Sequence, residues 1–339
     1  MVKRVLNVLI LSAAASAVNF IKTLAHDPAI KLHVTDADPY CPGLYHPRVH
    51  AAWLPQARDT QSYRTALDHL LEGRDIDVLI PTSDYDVEGV ARYLHDGWEP
   101  SARLFRPPWS AFLRLSHKGR LFAHLNESVP DLIPRTWSSF EAAKGAPCPV
   151  VVKPVAESGG KGVTVVQQSA ALPAALERAR TLYGDDFVVQ EFIPGRTWVA
   201  TLVYDQSGAC IVVLTMRSQL TFFTWGGGGC AGELAESPML EQLSQAVISA
   251  CGGWCGPINF EWRQHSETGR FYLMEANCRL NGYSYLTTMN GVLLPRIALN
   301  LLTGDPLPPL RPQNLDRRRN FVIGYRERLV DRWVERNGQ

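Results

Sequence analysis

A chain of 339 residues has room for two or three compact units of roughly 100 to 200 residues each, so a substantial core is available. Lys and Arg total 34 against 33 for Asp and Glu, and the net charge of +1 gives no global field to draw in nucleic acid or an acidic membrane surface. Seven cysteines, an odd number and widely scattered, are not a disulfide framework and fit a reducing compartment, with the cytoplasm as default.

Lys3 and Arg4 precede an apolar run from Val5 to Leu11 and small residues from Ser12 to Ala17, a pattern that imitates a secretory signal. A buried strand, a turn and a helix account for the same residues and also for Val18, Phe20, Ile21 and Leu24 at helical spacing, which favours that reading. No stretch approaches the roughly 18 apolar residues of a membrane span. Strands are expected over 4–11, 31–36 and 76–80, alternating with helices over 16–26, 61–72 and 84–95. Such a βαβ start implies a parallel, Rossmann-like α/β domain with Asp36, Asp38, Ser83 and Asp84 at strand C-terminal ends. The turn after the first strand, Ser12 to Ser16, lacks G-x-G-x-x-G, which disfavours a nicotinamide enzyme.

A helix is expected from Ala111 to Asn126, followed by breaks at Pro130, Pro134 and Pro147. Short strands then follow over 149–153, 162–167, 187–193, 198–204, 209–216, 256–263 and 270–276, with helices near 170–183 and 239–252, an α+β layout. Cys251 and Cys255 lack a second Cys or His pair at ligand spacing and read as buried structural thiols. Arg317 to Arg319, in the Pro- and Arg-rich tail, reads as a solvated face.

Three stretches carry chemistry. The strand Val150 to Pro154 ends in Lys153 and runs into Glu157-Ser158-Gly159-Gly160-Lys161-Gly162, a loop able to aim backbone N–H groups and a mobile cation at phosphate oxygens. A plain β-hairpin turn has the same composition, and the P-loop spacing is absent. Val188 to Gly195 leads an apolar strand through Gln190, Glu191, Phe192 and Ile193 into Pro194, offering a flat wall and exposed backbone groups to an adenine ring, or ending an ordinary strand. Glu261 and Glu275, fourteen positions apart with a turn over 266–269 between, can sit side by side on an antiparallel pair, with Asn277 on the face of Glu275. Two such carboxylates repel unless hard cations lie between them, although a solvated hairpin face would also carry them.

In this order and spacing the stretches resemble the ATP-grasp superfamily, in the branch of carbamoyl-phosphate synthetase large subunits, biotin carboxylases and amino-acid ligases. The resemblance is clear over roughly residues 110–305. It implies a pre-ATP-grasp domain over 1–106, a central lobe with the glycine-rich flap over 107–190, a second lobe with the metal site over 191–310 and a tail over 311–339. It implies that Lys118 and Lys153 are the basic residues of the nucleotide site and that Glu157 to Gly162 form the flap. Gln190, Glu191 and Ile193 would read adenine, while Glu261, Glu275 and Asn277 would hold two magnesium ions, with manganese as a substitute. Arg279 would steady the reacting phosphoryl group, with Lys153 and Lys161 offsetting its charge.

Two positions depart from the family pattern. Thr197 stands where relatives carry a ribose-binding carboxylate, and His117 where many have Asp before the lysine. The implied activity is an ATP-dependent, ADP-forming carboxylate–amine ligation through an acyl phosphate, on an amino acid or small peptide. Small-molecule substrates would be the partners, and a homodimer follows by analogy. A phosphotransferase and a non-catalytic ATP sensor on the same fold remain open, while a carboxylase is weaker because no carrier domain is present. The loop Thr224 to Cys230, with four consecutive glycines, is expected to close over the intermediate. Phe222, Phe223, Trp225, Tyr283 and Tyr285 flank the substrate or pack, and Arg217 pairs with a substrate carboxylate or sits on the surface.

Overall fold

The computed structural model describes residues 4–56, 60–137, 139–155, 160–223, 226–282, 284–312 and 321–322. The chain opens with strand β1 (Leu6–Leu11), helix α1 (Ala15–Leu24), β2 (Ile30–Asp36), β3 (Val49–Trp53), α2 (Thr60–Gly73), β4 (Val78–Pro81) and α3 (Asp84–His95). The four strands form a parallel sheet in the order β3-β2-β1-β4. Apolar residues on both faces of β1 suit a sheet covered on both sides. Val8 and Ile10 enter one core with Ala17, Phe20 and Leu24 of α1, and Leu9 and Leu11 enter another with Tyr63 and Leu67 of α2 and Val90 of α3.

Where one helix was expected over 111–126, the structure has two, α4 (Trp109–Leu115) and α5 (Lys118–Ser128). The break has a local cause: His117 caps α5, its Nδ1 accepting from the Arg120 N–H at 3.2 Å. Burial holds the His117 pKa below its ordinary value, which keeps Nδ1 free to accept.

A second sheet contains β5 (Thr136–Trp137), β6 (Val150–Pro154), β7 (Thr164–Val166) and β8 (Phe187–Glu191), all antiparallel in the order β5-β8-β6-β7. Helices α6 (Phe140–Ala143) and α7 (Leu172–Tyr183) cover it, with Leu172 and Leu176 meeting Val150, Val152 and Val189 in its core.

The remaining strands are β9 (Gly195–Tyr204), β10 (Cys210–Phe223), β11 (Gly226–Leu234), β12 (Gly256–His265), β13 (Phe271–Asn277) and β14 (Phe321–Val322). They form a six-stranded antiparallel sheet in the order β13-β12-β9-β10-β11-β14, accompanied by α8 (Pro238–Cys251), α9 (Tyr285–Met289) and α10 (Leu294–Thr303). The glycine run at 226–229 therefore belongs to a strand paired with β10, not to a closing loop; Thr224 and Trp225 lie outside the described residues. Backbone pairing along β10 overrides the turn propensity of glycine there.

Two cores tie this sheet to the rest of the chain. Phe260, Trp262 and Leu273 pack with Phe112 of α4, Leu121 and Phe122 of α5 and Val247 of α8. Val203, Val212 and Ile297 join the core of β1 and α1. No described helix is long and apolar enough to cross a membrane.

Trp262 is fully buried, and its indole N–H donates to Ser244 Oγ on α8 at 3.1 Å. Ser244→Ala leaves that buried donor without an acceptor and should lower stability by about 1–3 kcal/mol. The check is urea unfolding, where the midpoint should fall at unchanged slope; an unchanged midpoint would show that the bond contributes nothing.

Candidate nucleotide and metal site

A cleft opens where the end of β6 and the hinge after β8 face β12 and β13. Glu261 stands directly opposite Glu275 in the β12–β13 register, and Asn259 stands opposite Asn277. The pairing slips between Glu261 and Trp262, which leaves Met274 as an extra residue on β13. This bulge turns out the Met274 carbonyl, which accepts from Lys153 Nζ at 3.0 Å. Lys153 thus arrives from the second sheet beside the carboxylates of the third, and its ammonium lies 4.7 Å from the Phe122 ring centroid.

The charges strain one another. Burial and the neighbouring Glu275 push the Glu261 carboxyl up to about 7. Burial and Lys118 pull the Lys153 ammonium down to about 7, against the opposing pull of Glu275 and Glu261. Lys118, in the first turn of α5, pairs with Glu275 at 3.1 Å. His117 caps the helix that presents this lysine and so has a positioning task.

The cleft is lined on one side by Lys118, Lys153, Gly160 and Lys161, and at the hinge by Gln190, Glu191, Phe192 and Ile193. Thr197, Glu261 and Glu275 line the same cleft. Gly160 and Gly162 take φ values of +78° and +74°, and a Cβ on Gly162 would strike the Tyr183 hydroxyl, so this turn requires glycine. Glu157, Ser158 and Gly159 lie outside the described residues. At the hinge, the Gln190 amide donates to Thr136 Oγ1 at 2.8 Å and the Glu191 N–H donates to Arg135 O at 2.9 Å. Among the described residues the Ile193 N–H makes no hydrogen bond. Asn277 faces an adjoining cavity of about 740 Å³ that also reaches Lys118 and Glu275.

Arg279 is held differently from expectation. Its Nε and Nη2 grip both oxygens of Asp84 at 2.8 and 2.7 Å, and Nη2 also donates to Asn277 Oδ1 at 3.3 Å. The guanidinium is therefore tied to the start of α3 and not open to the cleft. Asp84 was legible only as a strand-end carboxylate, because its partner lies 195 residues away. Arg217 pairs with Glu233 across β10 and β11. The Tyr285 ring lies 4.6 Å from Lys22 Nζ on α1 and packs between units. Tyr283 lies outside the described residues, as do the side chains of Phe222, Phe223 and Cys230. Burial and Asp84 hold the Cys278 thiol protonated, which fits a structural role. Cys251 ends α8 and Cys255 follows it, both buried and free.

Arg263 was missed. It lines the cleft two positions after Glu261 on the same face of β12, a relation that the period-2 pattern of a strand would have given.

The geometry is that of the ATP-grasp fold, and solved structures share it. An L-amino acid ligase from Bacillus licheniformis superposes with a TM-score of 0.68 at 17% identity, over 91% of this chain and 78% of that one. A biotin carboxylase complex from Campylobacter jejuni superposes with a TM-score of 0.67 at 19% identity, over 90% and 72%. Residues 120–310 match the family described as carbamoyl-phosphate synthase L chain, ATP binding domain, and since this is more than half of the chain, the protein belongs to that family. A D-alanine–D-alanine ligase from Geobacter sulfurreducens is 30% identical over 166 residues, 46% of this chain and 49% of the ligase. The large-chain N-terminal section of carbamoyl phosphate synthase from Methanopyrus kandleri is 27% identical over 184 residues, 51% of this chain and 32% of that protein. The chain thus spans about half or less of the length of these relatives.

Gly195 joins hinge to β9 at φ +139°, and a Cβ there would run into the Gln264 carbonyl oxygen. Gly195→Ala should cost at least about 2 kcal/mol through strain at this conformation. It should also weaken ADP binding, because the hinge must shift. Denaturant unfolding and calorimetry check both, and wild-type values in the two would show that the hinge tolerates the change.

Proposed function

We propose that the chain is an ATP-dependent carboxylate–amine ligase that forms an amide bond through an acyl phosphate, releasing ADP and phosphate. The observation that carries this reading is the facing pair Glu261 and Glu275, set in one cleft with Lys118, Lys153 and the hinge. The donor set fits magnesium: two hard carboxylates and, at Asn277, a neutral oxygen, with remaining positions left for water and phosphate. Glu261, Glu275 and Asn277 would hold two ions, with manganese as a substitute. Bound magnesium would supply charge neutralisation to the polyphosphate.

The chain's own residues do the rest. The free Ile193 N–H is suited to donate to adenine N1, beside the apolar wall of Phe192. Lys118, Lys153 and Lys161 bring positive charge to the triphosphate and to the transferring phosphoryl group. A substrate carboxylate oxygen attacks the γ-phosphorus and the bond to the ADP oxygen breaks. An amine then attacks the acyl carbon, phosphate leaves and the amine loses a proton. Arg279 would reach the phosphoryl oxygens by loosening its grip on Asp84. The cavity beyond Glu275, reaching Asn277, is the place for the carboxylate substrate, an amino acid or small peptide. A homodimer in the cytoplasm completes the reading.

ADP and phosphate release should require magnesium and two co-substrates drawn from an amino-acid pool, with a product lighter by water than their sum on mass spectrometry. A phosphorylated product formed without an amine would replace the ligase by a phosphotransferase, and nucleotide binding without release would make the chain a sensor. Glu275→Gln should reduce magnesium-dependent turnover by about 100-fold or more with circular dichroism unchanged; retained turnover would remove Glu275 from the metal site.

A further inference from the structure

The nucleotide cleft has two ends of defined chemistry and a middle with no assigned role. The hinge lies at one end and the Glu261–Glu275 pair at the other. Between them stand Arg263 and Thr197, directly opposite one another in the β12–β9 register. Arg263 shares the face of Glu261 at a spacing of about 7 Å along the strand. Its Nε donates to the hinge carbonyl of Ile193 at 3.0 Å and its Nη1 to Thr197 Oγ1 at 3.1 Å. A nucleotide laid with its base on the hinge and its phosphates at the carboxylates has its sugar beside this pair.

The guanidinium lies 6.0 Å from the Phe192 ring centroid and has no anionic partner among the described residues. Both of its acceptors are neutral oxygens, and among the described residues Nη2 makes no hydrogen bond. Burial accordingly pulls its pKa below the ordinary value. A half-buried cation with spare donors is a receptor for anionic oxygen, and guanidinium forks suit phosphate in particular.

We propose that Arg263 recognises the ribose, with Thr197 orienting it, and that it does so as a donor, which makes the sugar site selective for a ribose that carries a phosphate at O2′ or O3′. This rests on the nucleotide reading of the cleft. A carboxylate at this place would accept from the ribose hydroxyls and repel such a phosphate; Arg263 reverses that polarity. The ribose hydroxyl oxygens of ordinary ATP still accept from it.

The test is isothermal calorimetry on the full chain with magnesium, using ADP, AMP, adenosine 2′,5′-bisphosphate and adenosine 3′,5′-bisphosphate. One of the bisphosphates should bind about tenfold or more tightly than AMP. Arg263→Gln should bring that ratio to about one, while Arg263→Lys should keep part of it. A residue that only braces the hinge would weaken all four ligands alike and leave the ratio untouched. If ADP and AMP bind but neither bisphosphate exceeds AMP, the ribose inference is overturned and the nucleotide reading stands. If ADP itself does not bind, the nucleotide reading falls and this inference with it.

Discussion

Two glutamates facing each other across an antiparallel strand pair set the terms for everything around them. Like charges at directly opposed positions destabilise a sheet, and Glu261 and Glu275 occupy such positions in a partly buried cleft. The neighbourhood offsets the repulsion with cations drawn from elsewhere in the chain. Lys118 comes from the first turn of α5 and Lys153 from the end of β6, each delivered by a local device. For Lys118 the device is the His117 cap; for Lys153 it is the bulge that exposes the Met274 carbonyl. The four charges, two of each sign, offset one another, and in the proposed function a divalent cation and a polyphosphate would enter as a compensating set.

The same logic extends outward. Arg279 continues past β13 and is held by Asp84 at the start of α3, which joins the first unit to the strand that carries Glu275. Core packing adds to this join, because Val203, Val212 and Ile297 share a cluster with β1 and α1. Arg263 and Thr197 extend the row of polar groups from the carboxylates toward the hinge. Hinge, Arg263–Thr197 pair, carboxylates and adjoining cavity therefore follow one another along the cleft, which is the order the proposed nucleotide and acceptor sites require.

Much of this was legible from residue pattern. β1 was found because its residues are apolar on both faces, and the carboxylate pair because fourteen residues with a central turn bring Glu261 and Glu275 level. β3 escaped because Val49 to Trp53 is an edge strand with mostly exposed side chains and no alternation. β11 escaped because consecutive glycines read as a loop, while its strand geometry comes from pairing with β10. The split between α4 and α5 was hidden by apolar spacing that continues through Ser116 and His117. The Asp84–Arg279 bond could not be read from any local window, since only the folded sheet order joins its partners.

The most direct test of the central claim is magnesium linkage in ADP binding, measured by calorimetry on the wild-type chain and on Glu261→Gln. Magnesium should raise ADP affinity about tenfold or more in the wild type and have little effect in the variant. Equal ADP affinity with and without magnesium in the wild type, or a full magnesium effect in Glu261→Gln, would contradict the claim that the facing carboxylates exist to hold a metal–nucleotide complex.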